Sequence, residues 1–208
     1  MNHPNFNEEK KLWSKGYNIV VGIDEAGRGP LAGPVVAAAV FIKPGAKILL
    51  RGVNDSKKLS EKQRENIYKI LTSHKDIEWG VGIVSEKVID KINILEATKL
   101  AMQKSFKKLN PDFLLLDGNF SAQGGPASGW KIFEKSIIKG DQKVFSISAA
   151  SIIAKVTRDR LMQKYHKQYP QYGFDKHKGY GTALHIANIK EFGACKIHRK
   201  TFYPVSIL

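Results

Sequence analysis

The segment Asn18-Ile-Val-Val-Gly-Ile-Asp24 limits what this chain can fold into more than any other. Its β-branched apolar residues run for the length of one buried strand, and the run stops at two acids, Asp24 and Glu25. The turn that follows, Gly27-Arg-Gly-Pro-Leu-Ala-Gly-Pro34, has three glycines and two prolines in eight residues. A second apolar run then extends from Pro34 to Ile42. Two such runs joined by a turn predict antiparallel pairing. A weaker strand is read at Ile77 to Val84, with Gly80 and Gly82 inside it.

Helix signals come next. Ser60 with Gln63 three residues on is a capping box, and behind it Ile67, Ile70 and Leu71 share a helical face. Asn93 with Glu96 repeats the start signal, and Leu100, Met102, Gln103 and Phe106 carry that helix to the stop Asn110-Pro111. Phe113-Leu-Leu-Leu116 is another buried strand and also ends in an acid, Asp117. Residues 121–130 are a glycine-rich loop, and Lys131 to Ile138 is a short strand. Ser146 to Tyr165 forms a long helix with Ala149, Ile152, Ile153, Val156 and Leu161 on its packed side. Thr182 to Phe192 is a last helix, closed by Gly193. Strands first, then helices alternating with strands, predict an α/β domain with a mixed sheet.

The 208 residues are expected to form a single domain, with a sheet-containing core over about 18–145 and a helical C-terminal part over about 146–208. Cys195 is the one cysteine, so no internal disulfide forms. No apolar run reaches membrane-spanning length, and the polar start of the chain lacks a secretory signal, which places the protein in the cytoplasm. Lys and Arg number 34 against 19 Asp and Glu, a net charge of +15 that calls for a polyanionic partner, nucleic acid being the commonest.

Carboxylates at strand ends need a reason, because ionised acids are costly to desolvate. In open α/β sheets ligands gather outside the carboxyl ends of strands. Several acids meeting there repel one another and need cations between them, and Mg²⁺ or Mn²⁺ prefers carboxylate oxygen and water. Two such ions about 3.5–4 Å apart clamp the attacking and leaving oxygens of a phosphodiester. Successive strand residues face opposite sides, so Asp24 and Glu25 share a site only if the strand ends or twists there. Arg28 can grip a phosphate with two parallel hydrogen bonds, and the glycine backbone can approach a sugar hydroxyl; a purely structural turn is the alternative. Asp141, in Lys139-Gly-Asp-Gln-Lys143, reads by spacing alone as a solvated loop acid. Lys155 and Arg158 share a helical face that either supports the acids or is solvated. Lys196-Ile-His-Arg-Lys200 reads either as a phosphate-contacting tail or as a merely solvated one.

Taken together, Gly22-Ile-Asp-Glu-Ala-Gly-Arg-Gly-Pro-Leu-Ala-Gly-Pro-Val35 resembles the signature of the ribonuclease HII family. Asn54-Asp-Ser-Lys-Lys-Leu-Ser60, Leu116-Asp-Gly-Asn119, Lys139-Gly-Asp141, Ser148 to Asp159 and His177-Lys-Gly-Tyr180 are similar to its further blocks, in the same order. The resemblance implies an RNase H-like fold, with a central mixed sheet flanked by helices and a helical C-terminal extension. It implies hydrolysis of RNA in RNA–DNA hybrids and nicking 5′ to single ribonucleotides in duplex DNA, leaving 3′-hydroxyl and 5′-phosphate ends. Asp24, Glu25, Asp117 and Asp141 are then the catalytic, metal-binding acids for two Mn²⁺ or Mg²⁺ ions, with Asp159 as the competing fourth acid, although its highly charged helical segment reads as a surface position for it. Gly27, Arg28 and Gly29 read the 2′-hydroxyl, Tyr180 stacks on a sugar, and Lys57 and Ser148 complete the substrate contacts. A monomer is expected. Two rivals stay open: the sister ribonuclease HIII type, against which Arg28 speaks, and a basic nucleic-acid binder without catalysis.

Overall fold

The computed structural model describes residues 3–46, 48, 59–118 and 130–208. Strands β1 (Val20–Ala26), β2 (Val35–Ile42), β3 (Ile77–Val84), β4 (Phe113–Asp117) and β5 (Phe133–Ile137) form one sheet in the order β3-β2-β1-β4-β5. β1 with β2 and β2 with β3 are antiparallel; β1 with β4 and β4 with β5 are parallel. The sheet is therefore mixed, and the two runs flanking the glycine turn pair as anticipated. The expected Lys57 contact and residues 121–129 of the expected loop lie outside the described residues.

Helices cover both faces: α1 (Asn7–Trp13), α2 (Glu61–Ser73), α3 (Glu86–Phe106), α4 (Phe145–Gln168), α5 (Phe174–His177) and α6 (Ala183–Phe192). On one face α3 packs Ile89, Ala97, Ala101 and Met102 against Val21 and Ile23 of β1 and Leu114 and Leu116 of β4. On the other, α4 and α2 pack Ala149, Ile152, Ile153, Ile67 and Leu71 against Ala38, Val40 and Ile42 of β2. α4 buries fourteen residues and is enclosed on nearly every side, so no single apolar stripe is needed to seat it. Among the described residues no helix is long and apolar enough to cross a membrane.

The capping box at Ser60 forms: the Gln63 N–H donates to the Ser60 hydroxyl and the Ser60 N–H to the Gln63 side chain. Asn93 also caps, its Oδ1 accepting from Leu95 N at 2.9 Å and Glu96 N at 3.1 Å. It does so from inside α3, where its φ of 65° breaks the helix in two. The first half, which carries Val88, Ile89 and Ile92 at helical spacing, was not anticipated. Gly80 and Gly82 are where α3 lies against β3: a Cβ there would meet Ser105 O at 2.2 Å and Ala101 O at 1.9 Å. They mark close helix–sheet approach, not a weak strand.

Three expectations are corrected. Ile70 is exposed, and only Ile67 and Leu71 of its trio are buried. Leu161 is half-buried, and Met162 takes the inward position. The basic tail is not a solvated tail: Ile197, His198 and Arg199 are buried, and the Arg199 N–H donates to Leu31 O.

Candidate active site

β1 and β4 run parallel, with Ile23 opposite Leu116. One residue further along, each strand carries an acid. Asp24 and Asp117 thus stand side by side at two carboxyl ends, on the face that α4 covers. Glu25, still paired with Ala37 of β2, lines the same pocket just before β1 ends at Ala26 and the chain turns at Gly27, whose φ is 97°. Asp24, Glu25, Ala26, Gly27, Arg28, Gly29, Asp117, Ser151, Lys155 and Tyr180 line one pocket of about 220 Å³.

The electrostatics of the pocket are unfavourable as they stand. Asp24 is buried, and its carboxyl is held well above the ordinary carboxylate range, first by desolvation, then by the charges of Glu25 and Asp117. The Ser151 hydroxyl and the Glu25 N–H, at 2.7 Å from Asp24 Oδ1, work the other way. Arg28 pairs with Glu25 at 3.3 Å, and Lys155 with Asp159 at 2.7 Å. Among the described residues no three acids, histidines or cysteines are already drawn together at ion-holding closeness. The donor set nevertheless suits a hard divalent ion: carboxylate oxygens only, under mutual repulsion that such an ion relieves.

Asp141 sits in a single 3₁₀ turn, Gly140–Gln142, and is buried. The turn is tied to Asp117 through its backbone, with Gly140 N at 2.7 Å and Asp141 N at 3.4 Å from Asp117 Oδ1. Asp141 thus lies next to the acid cluster without lining the pocket wall. Asp159, read as a surface acid, is buried against Lys155. Ser148 is fully buried and off the wall; Ser151, one helical turn on, is on it. Ser151 belongs to the same Ser148–Asp159 block, and the three-residue helical repeat was the signal that could have found it.

Tyr180 is held from below by histidines. The His198 ring accepts from Cys195 N at 2.9 Å through Nδ1, so its Nε2–H donates to His185 Nε2 at 3.0 Å. The His185 Nδ1–H then donates to the Tyr180 carbonyl at 2.9 Å. His177 stacks on His185 with centroids 4.4 Å apart, accepts from Gly179 N through Nδ1 and donates through Nε2 to Tyr172 O. The histidines are therefore structural supports of the tyrosine turn and not ligands.

The sequence pattern of ribonuclease HII matches residues 21–205. A ribonuclease HII from Chlamydia caviae is 52% identical over 199 residues, covering 95% of this chain and 90% of its own. The solved ribonuclease H2 of Pyrococcus horikoshii superposes with a TM-score of 0.71 at 30% identity, over 91% of this chain and 96% of that one. The RNase HII solved in complex with PCNA from Archaeoglobus fulgidus gives a TM-score of 0.72 at 28% identity, over 88% and 95%.

Proposed function

The chain belongs to the ribonuclease HII family, a family of metal-dependent ribonucleases H with an RNase H-like α/β fold, and from that premise we propose that it nicks duplex DNA 5′ to single embedded ribonucleotides and cuts the RNA strand of RNA–DNA hybrids. The products are a 3′-hydroxyl and a 5′-phosphate, and the role is removal of ribonucleotides from DNA. One observation carries this reading: carboxylates from two adjacent parallel strand ends share a pocket with a glycine-arginine loop and an exposed tyrosine.

Asp24, Glu25, Asp117 and Asp141 hold two Mg²⁺ or Mn²⁺ ions in this proposal, with the turn of Asp141 docked on Asp117. When bound, such ions activate a water and neutralise the leaving 3′-oxygen. Ser151 orients the Asp24 carboxyl. The Gly27-Arg28-Gly29 backbone reads the 2′-hydroxyl, the one group that separates RNA from DNA locally. Tyr180 stacks on the neighbouring sugar. Lys155 stands on the pocket wall to meet phosphate.

A duplex DNA carrying one ribonucleotide tests this directly. The protein is expected to nick it on the 5′ side with Mg²⁺ or Mn²⁺ and not with chelator; an intact strand under every metal overturns the substrate assignment. Asp117→Asn is expected to lose turnover and keep duplex affinity. Wild-type rates in that variant would remove Asp117 from the chemistry.

A further inference from the structure

Two arginines outside the pocket form the other side of its glycine-arginine loop. Arg199 is wholly buried. Its Nη2 donates to Gly27 O at 2.6 Å and to Gly33 O at 2.9 Å, its Nη1 to Arg28 O at 2.8 Å, and its Nε to Gly33 O at 3.0 Å. Arg158, on α4, is almost as deeply buried. Its Nε donates to Pro34 O at 3.0 Å, its Nη2 to Ala32 O at 3.1 Å, and its Nη1 to Lys178 O at 2.9 Å, two residues before Tyr180. Burial depresses the pKa of both guanidinium groups. Backbone carbonyl dipoles hold both charges.

Burying two cations this way is costly, and a short glycine-rich turn needs no such core merely to reverse direction. The geometry gives a reason. In a planar trans peptide the carbonyl and the following N–H point in opposite directions. With the Gly27 and Arg28 carbonyls drawn to Arg199, the N–H groups of Arg28 and Gly29 are turned away from it. Gly27, Arg28 and Gly29 line the pocket, and Arg199 is not among its lining residues. From this stretch of the loop, a hydroxyl oxygen entering the pocket is therefore offered the Arg28 and Gly29 N–H groups and not the Gly27 and Arg28 carbonyls.

We propose that Arg199, backed by Arg158, is a positioning residue that fixes which edge of the Gly27-Arg28-Gly29 backbone faces the substrate and thereby sets the enzyme's discrimination of ribose from deoxyribose. The proposal rests on the substrate assignment above and adds the residues that make the loop selective. It also separates two tasks. Phosphate attraction belongs to the surface cations and does not depend on the loop's orientation; recognition of the 2′-hydroxyl does. A lysine in place of Arg199 keeps the charge but has no fixed fork to engage three carbonyls at once.

The experiment compares wild type, Arg199→Lys and Arg158→Lys on a duplex with one ribonucleotide, with the all-deoxy duplex as unlabelled competitor. Wild-type nicking at the ribonucleotide establishes the substrate reading before any variant is judged; without it that reading fails, whatever the variants do. Arg199→Lys is expected to lower kcat/KM on the ribonucleotide duplex by about tenfold to a hundredfold and, because buried carbonyls lose their donors, to lower the melting temperature by several degrees, with the Ki of the all-deoxy competitor close to wild type. Arg158→Lys, which leaves the bonds to Gly27 and Arg28 in place, shows the same pattern at smaller size. If Arg199→Lys does not accumulate as folded protein, Arg158→Lys carries the test. Wild-type kcat/KM in the folded variant, or parallel loss of ribonucleotide cleavage and all-deoxy affinity, overturns the proposal.

Discussion

Asp24, proposed above as a metal-binding acid, is held at the expense of the fold. Its carboxyl pKa is raised in the folded chain, above the ordinary value of 3.8. A group shifted that way stabilises the fold only below its unfolded pKa and loses that contribution as pH rises through the folded value. At neutral pH, with no divalent ion present, ionised Asp24 is a net cost. Asp24→Asn removes the charge while keeping an oxygen to accept from Glu25 N. In chelator it is expected to raise the melting temperature, by about 2–4 °C for each ~1 kcal/mol of repulsion relieved. In Mg²⁺ it is expected to lose at least about a hundredfold in nicking rate, the scale of removing one electrostatic contact from a catalytic centre. Thermal unfolding in chelator checks the first half, and a lowered melting temperature overturns it. The acids at β1 and β4 were legible in the sequence because a charge at the end of an apolar run has no packing reason to be there. Arg158 was singled out beside Lys155 and Arg199 within a basic stretch, but their grip on the loop was not legible, since a cation satisfied by backbone carbonyls leaves no partner residue to find. Asp141 was visible only through the family resemblance, because a lone acid in a turn has no period to betray it.

At the scale of elements, the legible features were those with local causes. Ser60 and Asn93 start helices with their own side chains, and Thr182 accepts from His185 N in the same way. What local pattern missed was set by distant neighbours. The close approach of α3 put glycines into β3, and the break at Asn93 hid the first half of its helix behind the second. The histidine ladder joins α5, α6 and the C-terminal segment, three pieces with no common period. Burial holds the pKa of His185 and His198 at about 4, against 6.5 for a free ring. Between those values the unfolded chain binds more protons, so stability is complete above about pH 6.5 and falls as the pH drops toward 4. The shift corresponds to roughly 3 kcal/mol, counted once because the two rings share one hydrogen and titrate as a pair. Wild type is therefore expected to lose melting temperature steadily from pH 6.5 to 4.5, and His198→Gln to show a flatter slope from a lower start. Thermal scans across that range decide it; equal slopes would clear the pair of any part in acid sensitivity.

For the whole molecule, the charge distribution has opposite signs at two length scales. The chain carries +15, yet its pocket gathers acids. A uniformly basic surface attracts any duplex, because each phosphate neutralised by Lys or Arg releases condensed counterions. An acid-lined pocket repels the same phosphates unless divalent ions intervene. Attraction and cutting are thus supplied by different parts of the protein and should separate under different reagents. Raising salt from 50 to 200 mM is expected to weaken all-deoxy duplex binding by at least about tenfold, whether or not chelator is present. Chelator alone is expected to abolish nicking while duplex affinity stays within about threefold, since the surface cations, and not the bound ions, carry the long-range attraction. Fluorescence anisotropy against salt, repeated with chelator, reads both quantities on one sample. If chelator removed binding as completely as cutting, the duplex would be held mainly through the metal site, and the net positive charge would have to serve some other purpose.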